Sequence, residues 1–139
     1  MSLAPVMIEA AVAASVDNMV ANSLVFTQTD DLHKFIMDPS TTYADPDPIT
    51  TGTTVNFNLG GIWTQPVNID HLNFKCHLFG VVAYNEDFAD VETVFPGSWT
   101  YALPFDVPPV APTATYYVTV TAVDNTGADL FIIDTNFRL

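Results

Sequence analysis

Basic residues are nearly missing from this 139-residue chain. Three Lys and Arg stand against 16 Asp and Glu, a formal charge of -13. That scarcity argues against a nucleic-acid partner, because neutralising phosphates takes clustered Lys and Arg. Electrostatic docking on an anionic bilayer is disfavoured for the same reason. Cysteine is scarcer still: Cys76 stands alone, so no intrachain disulfide can form. Small secreted domains commonly rely on disulfides, and their absence points to a reducing compartment. No Asn-x-Ser/Thr acceptor for glycosylation occurs. Charged residues of both signs make up only 14%, against about 25% in an ordinary soluble domain, while hydrophobic residues reach 49%. Such a composition excludes global disorder. It also raises the question of what covers so much apolar surface. An internal cavity filled by an apolar ligand is one answer, and a large protein partner is another.

Chemistry-bearing patterns are absent too. The stretch from Gly52 to Gly61 lacks the Gly-Lys-Ser/Thr end of a phosphate loop, and no Gly-x-Ser-x-Gly elbow is present. Glu86, Asp87, Asp90 and Glu92 lack the spacing and glycine of a calcium loop, and read as a solvated acidic loop. Asp45 and Asp47 flank Pro46 in what reads as a rigid turn. His71 and His77 fall on one face of a regular strand and Cys76 on the other, so no zinc set converges. The expectation is a non-enzymatic protein with no catalytic residue, no metal and no cofactor other than a bound lipid.

Three regions follow in order. Residues 1–25 form an apolar arm in which Ile8, Val12 and Val16 recur at helical spacing and Met19 continues the stripe. These four read as one face of a short helix, suited to packing or to docking on a partner. The first basic residue is Lys34, so the arm lacks the positive region of a secretory leader. Its apolar stretch from Ala10 to Val16 is too short to span a bilayer. An intracellular or organelle-interior setting is therefore expected, with a secreted precursor form left open, and no transmembrane segment is expected. Residues 26–52 read as an extended Pro- and Asp-rich linker ending in Asp45-Pro46-Asp47-Pro48.

From residue 53 to residue 139 the pattern changes to period two. Val55, Phe57 and Leu59 alternate with polar residues until Gly60-Gly61, which suggest a bulge or bend. Val67 and Ile69 alternate, as do Leu72, Phe74, Cys76 and Leu78. Trp99, Tyr101, Leu103 and Phe105 give the cleanest run. Pro104, Pro108, Pro109 and Pro112 suggest an extended connection. Asp124-Asn125-Thr126-Gly127 marks a hairpin between two last strands. Six or seven short strands with turn signals between them predict an all-β fold, a two-sheet sandwich or barrel. The aromatic positions Phe57, Trp63, Phe74, Trp99, Tyr101 and Phe105 are the candidates for its interior. Plain core packing and a cavity wall ask for the same side chains, so both readings stand at this point.

Four segments, in order over residues 52–139, resemble the MD-2-related lipid-recognition (ML) family, whose members include the Niemann-Pick type C2 sterol carrier. They are Val55 to Gly61 followed by Trp63 to Val67, then Leu72 to Gly80, then Pro96 to Tyr101 with Leu103-Pro104-Phe105, and finally Tyr117 to Val120 through Asp124-Asn125-Thr126-Gly127 to Leu130. The chain departs from the family pattern where cysteines are usual, near Phe95-Pro96 and at Phe131. The resemblance implies an immunoglobulin-like two-sheet sandwich that holds an acyl chain or a sterol between its sheets, with the six aromatics as cavity candidates. The alternative is a structural accessory subunit of a large protein assembly that reuses the fold and is anchored by the arm.

Overall fold

Apolar side chains recurring at every second residue line one face of a strand, and two such faces bury each other. The computed structural model, which describes residues 24–139, follows this rule through nine strands. They are β1 (Thr27–Gln28), β2 (Phe35–Met37), β3 (Tyr43–Asp45), β4 (Thr54–Trp63), β5 (Val67–Leu78), β6 (Val81–Val94), β7 (Gly97–Asp106), β8 (Thr115–Asp124) and β9 (Asp129–Arg138). One sheet has the order β1-β9-β8-β5-β6. In the other, β4 pairs along its full length with β7, while β2 and β3 pair with its two halves. All pairings are antiparallel. The described chain is thus all-β, in two sheets. The arm candidates Ile8, Val12, Val16 and Met19 lie outside the described residues.

Between the sheets, Val55, Phe57, Leu59 and Trp63 of β4 and Leu103 of β7 meet Leu72 and Phe74 of β5, Val120 of β8 and Phe131 of β9. The two alternating runs in β5 are out of phase, and the structure joins them across a bulge at Asp70. Pairing with both neighbours shifts between Ile69 and His71. An extra residue reverses the side that faces inward. Val67 and Ile69 are therefore buried before the bulge, and Leu72, Phe74 and Cys76 after it. At the β8–β9 turn, one oxygen of Asp124 accepts hydrogen bonds from the Thr126 amide at 2.8 Å, the Thr126 hydroxyl at 2.7 Å and the Ala128 amide at 2.9 Å. Those bonds, the hydroxyl first, hold the Asp124 carboxyl below its usual range.

Four expectations change. Residues 26–52 are not a plain linker, because β1, β2 and β3 lie within them. Side-chain bonds stitch this segment into the sandwich. The Gln28 amide nitrogen of β1 donates to the Phe35 carbonyl at 2.7 Å, its oxygen accepts from the Met37 amide at 2.9 Å, and Asp30 accepts from the Ile132 amide at 2.8 Å. Gly60-Gly61 does not interrupt β4, whose register with β7 runs unbroken through both. The glycines serve close approach instead. The acidic run 85–92 is not a loop but the middle of β6. Among the described residues β6 is a sheet edge, and charged side chains at an edge resist pairing with other chains. Pro104 belongs to β7, not to the connection after it. Among the described residues β7 pairs with β4 alone, and an edge strand tolerates proline.

Candidate functional site

A pocket of about 420 Å³ opens at one end of the sandwich. Its walls come from both sheets: Cys76 and Leu78 at the end of β5, Ala83 and Tyr84 at the start of β6, Phe105 at the end of β7, Tyr116 at the start of β8, and Phe137 near the end of β9. The loop 107–112 supplies Val107, Pro108, Val110, Ala111 and Pro112. Prolines suit this loop because it must lie across the open end with few backbone bonds of its own. The Tyr116 hydroxyl donates to the Pro112 carbonyl at 2.7 Å, and the Tyr116 ring stacks on Phe137 with centroids 5.3 Å apart. That bond ties the loop to the sheet, as the tyrosine corner does in immunoglobulin-like sandwiches.

The lining is apolar and chemically quiet. Burial pushes the Cys76 thiol up to about 11, so it stays protonated at neutral pH and packs as a small hydrophobe. Burial, and then the hydrogen bond to Glu86, push the Tyr84 hydroxyl up to about 12. Among the described residues Asp106 is the one charged side chain on the wall, and its carboxylate accepts from the Thr54 hydroxyl at 2.6 Å. Such a site can hold an apolar chain. Among the described residues no group of three or more His, Cys, Asp and Glu is placed to hold a metal ion, and no helix is long and apolar enough to cross a membrane.

Of the six aromatic candidates, Phe105 alone lines this pocket. Phe57 and Phe74 lie behind it, their ring centroids 6.5 and 5.2 Å from that of Phe105. Trp63 and Trp99 belong to a second group of rings, with Phe35 and Phe131, formed by the start of β7 and β9 and the end of β4. Tyr101 stacks on Trp99 with centroids 5.8 Å apart. The pocket residues absent from the cavity candidates include Cys76, Leu78, Tyr84, Tyr116, Phe137 and the loop. Their common signal was position at strand ends, which is usable only once the topology shows which ends meet.

A different feature lies along the inward side of β6. Asp90 and Glu92 are half-buried there, and one Asp90 oxygen is buried without a hydrogen-bond partner. Burial, and then the adjacent Glu92 carboxylate, push Asp90 up to about 7. The folded state thus holds this proton more tightly than the unfolded chain does. Its stabilising effect is full below the ordinary carboxylate value, 3.8, and is lost as pH rises towards 7. Asp90→Asn removes the penalty, so it should raise the melting temperature at pH 8 by roughly 4 °C, since water screens a half-buried group. The gain should vanish near pH 4. Equal gains at both pH values in thermal unfolding would refute this account.

No family model and no curated protein matches the chain by sequence. Solved structures do match by shape. Chicken MD-1, crystallised in complex with lipid IVa, superposes with a TM-score of 0.54 at 13% identity, over 84% of this chain and 90% of that one. A Niemann-Pick type C2 protein from Japanese carpenter ant covers 82% of this chain and 92% of its own at 11% identity, with a TM-score of 0.42. The two sheets and the agreement with MD-1 together give this chain an ML-like fold.

Proposed function

We propose that the protein is a non-enzymatic lipid-binding domain that takes one acyl chain, or a sterol, in the pocket between Cys76, Tyr84, Phe105, Tyr116 and Phe137. The pocket itself carries this reading. Its volume of about 420 Å³ falls within the roughly 300–1,000 Å³ of small-molecule sites, and its walls are almost entirely apolar. Burying about ten methylenes contributes about 8 kcal/mol. Part of that is offset by immobilising the chain, so about 1 μM is the tightest binding that ten methylenes can supply. The fold shared with MD-1, a protein crystallised with lipid IVa, supports the same reading.

Two uncharged probes suit a wall whose charged residue is a carboxylate: a pyrene-labelled acyl ester and dehydroergosterol. One of them should bind with one-to-one stoichiometry by fluorescence titration. Ala111→Trp, which places a ring inside the mouth, should weaken that binding by about tenfold or more without changing the circular dichroism spectrum. Saturable binding that Ala111→Trp leaves unchanged would move the lipid out of this pocket. Failure of both probes would favour the accessory-subunit reading.

A further inference from the structure

The mouth of the pocket is framed by two segments that share an unusual surface. One is the turn between β5 and β6, the other the loop 107–112. Phe79 is 77% exposed, Val81 65% and Val110 87%. Val82 and Tyr117 are exposed on the outer face at the same end, paired with His77 from either side. Neither residues 78–84 nor residues 107–117 include a charged residue, in a chain of net charge -13.

The turn adds a second observation. Phe79 and Gly80 both take positive φ, 52° and 78°. Two-residue hairpin turns of this kind favour Asn-Gly, because asparagine tolerates the left-handed region and bulky side chains do not. A phenylalanine here strains the backbone and leaves its ring in water. No contact among the described residues calls for that ring, which is 77% exposed, and this points to a contact outside them.

We infer that this end of the sandwich, where the charged pocket-wall residue Asp106 is bonded to the Thr54 hydroxyl, seats on the surface of an electrically neutral, zwitterionic lipid bilayer, with the pocket mouth facing the lipid. The inference rests on the lipid-binding reading of the pocket and adds the source of the lipid. Phenylalanine, valine and tyrosine enter the interfacial zone of a bilayer readily, whereas carboxylates do not. The acidic remainder of the molecule is repelled by anionic headgroups, which selects a neutral surface. A mouth seated there passes a lipid between bilayer and pocket without exposing its chain to water.

The test is flotation of the full chain with phosphatidylcholine vesicles, alongside vesicles containing phosphatidylglycerol. The protein should float with the former and less with the latter. Phe79→Asn supplies the residue the turn favours, so it should fold at least as well while its vesicle-bound fraction falls about tenfold. Val110→Asp should act in the same direction. Loading with dehydroergosterol from cyclodextrin, which needs no bilayer, should be the same in Phe79→Asn as in the parent chain. Flotation unaffected by Phe79→Asn, or no flotation of the parent chain, overturns the inference while normal cyclodextrin loading leaves the pocket reading intact. A dimer in analytical ultracentrifugation that Phe79→Asn dissolves, without flotation, overturns it in favour of a second copy as the occupant. Flotation that Phe79→Asn abolishes, with no loading of either chain by dehydroergosterol or by the acyl ester, upholds the docking surface and defeats the pocket reading instead.

Discussion

Gly61→Ala should lower the unfolding free energy by about 3 kcal/mol or more, a large share of the roughly 5–15 kcal/mol that holds a domain of this size together. A Cβ built at Gly61 would stand 2.3 Å from the Ile36 carbonyl oxygen and 2.5 Å from the Phe35 ring. Neither neighbour can move aside. Ile36 is paired with β4 in its own register, and Phe35 is fully buried among Trp63, Trp99 and Phe131. Two other glycines calibrate the effect. At Gly60 the Cβ meets the Thr41 hydroxyl at 2.1 Å, its Cβ at 2.7 Å and its carbonyl oxygen at 2.8 Å, a close approach too, but to an exposed turn rather than to a buried ring and a paired strand. At Gly80 nothing lies within 4 Å, and only the positive φ opposes a side chain. The expected order of destabilisation is therefore Gly61→Ala, then Gly60→Ala, then Gly80→Ala at about 1 kcal/mol. Urea unfolding of the three variants checks it, and a Gly61→Ala cost no larger than that of Gly80→Ala would remove close approach as the reason for the glycine pair.

Those glycines mark where the sequence was ambiguous. A Gly-Gly pair inside an alternating run signals either a break in a strand or a strand that another backbone crowds, and the composition of the run is the same in both cases. The long strands β4, β5, β7, β8 and β9 were legible because each buries one face against the other sheet, which enforces period two. The ML resemblance, carried by four short segments within them, agrees with the observed fold. β6 was misread because Glu86, Asp87, Asp90 and Glu92 overwhelm its alternation. Tyr84, Phe88 and Val94 keep the phase, but an edge strand has one paired neighbour and tolerates carboxylates on both faces. The short strands β1, β2 and β3 were illegible for another reason. β1 and β2 are held by Gln28 and Asp30 through bonds to partners up to 102 positions away, β3 by pairing with β4, and no local pattern encodes such distant bonds.

The pocket was legible in kind and not in place. Apolar excess and scarce charge pointed to an apolar ligand or partner, and large aromatic rings were the natural lining. Most of those rings pack on each other in the core instead, because they sit in mid-strand positions or at the far ends of β4 and β7. Beside the rings of Tyr84, Phe105, Tyr116 and Phe137, the pocket takes part of its walls from smaller residues, Cys76, Leu78, Ala83 and Ala111, because an open space requires side chains that do not fill it. Proline at 108, 109 and 112 read as a connection, and a connection is what closes the end of the sandwich.

This division between a filled end and an open end makes a second large effect predictable. Trp63→Ala should cost about 3–5 kcal/mol, while its affinity for the lipid probe should stay within about twofold at a temperature where the variant is folded. Trp63 is 1% exposed, with ring centroids 4.8 Å from Phe35, 5.5 Å from Trp99 and 5.9 Å from Phe131. Removing the indole opens a hole that three neighbouring rings cannot fill without leaving their own contacts. One term works against the indole: its N–H is buried without an acceptor, a penalty of about 1–3 kcal/mol. Trp63→Phe deletes that donor and keeps most of the ring, so it should cost much less than Trp63→Ala. Denaturant unfolding measures both costs, and titration with the acyl ester or dehydroergosterol measures the binding. Weakening of the probe by Trp63→Phe, a variant that keeps the fold, would mean that the lipid reaches past Phe57 and Phe74 to the far end, and that the space between the sheets is one continuous site.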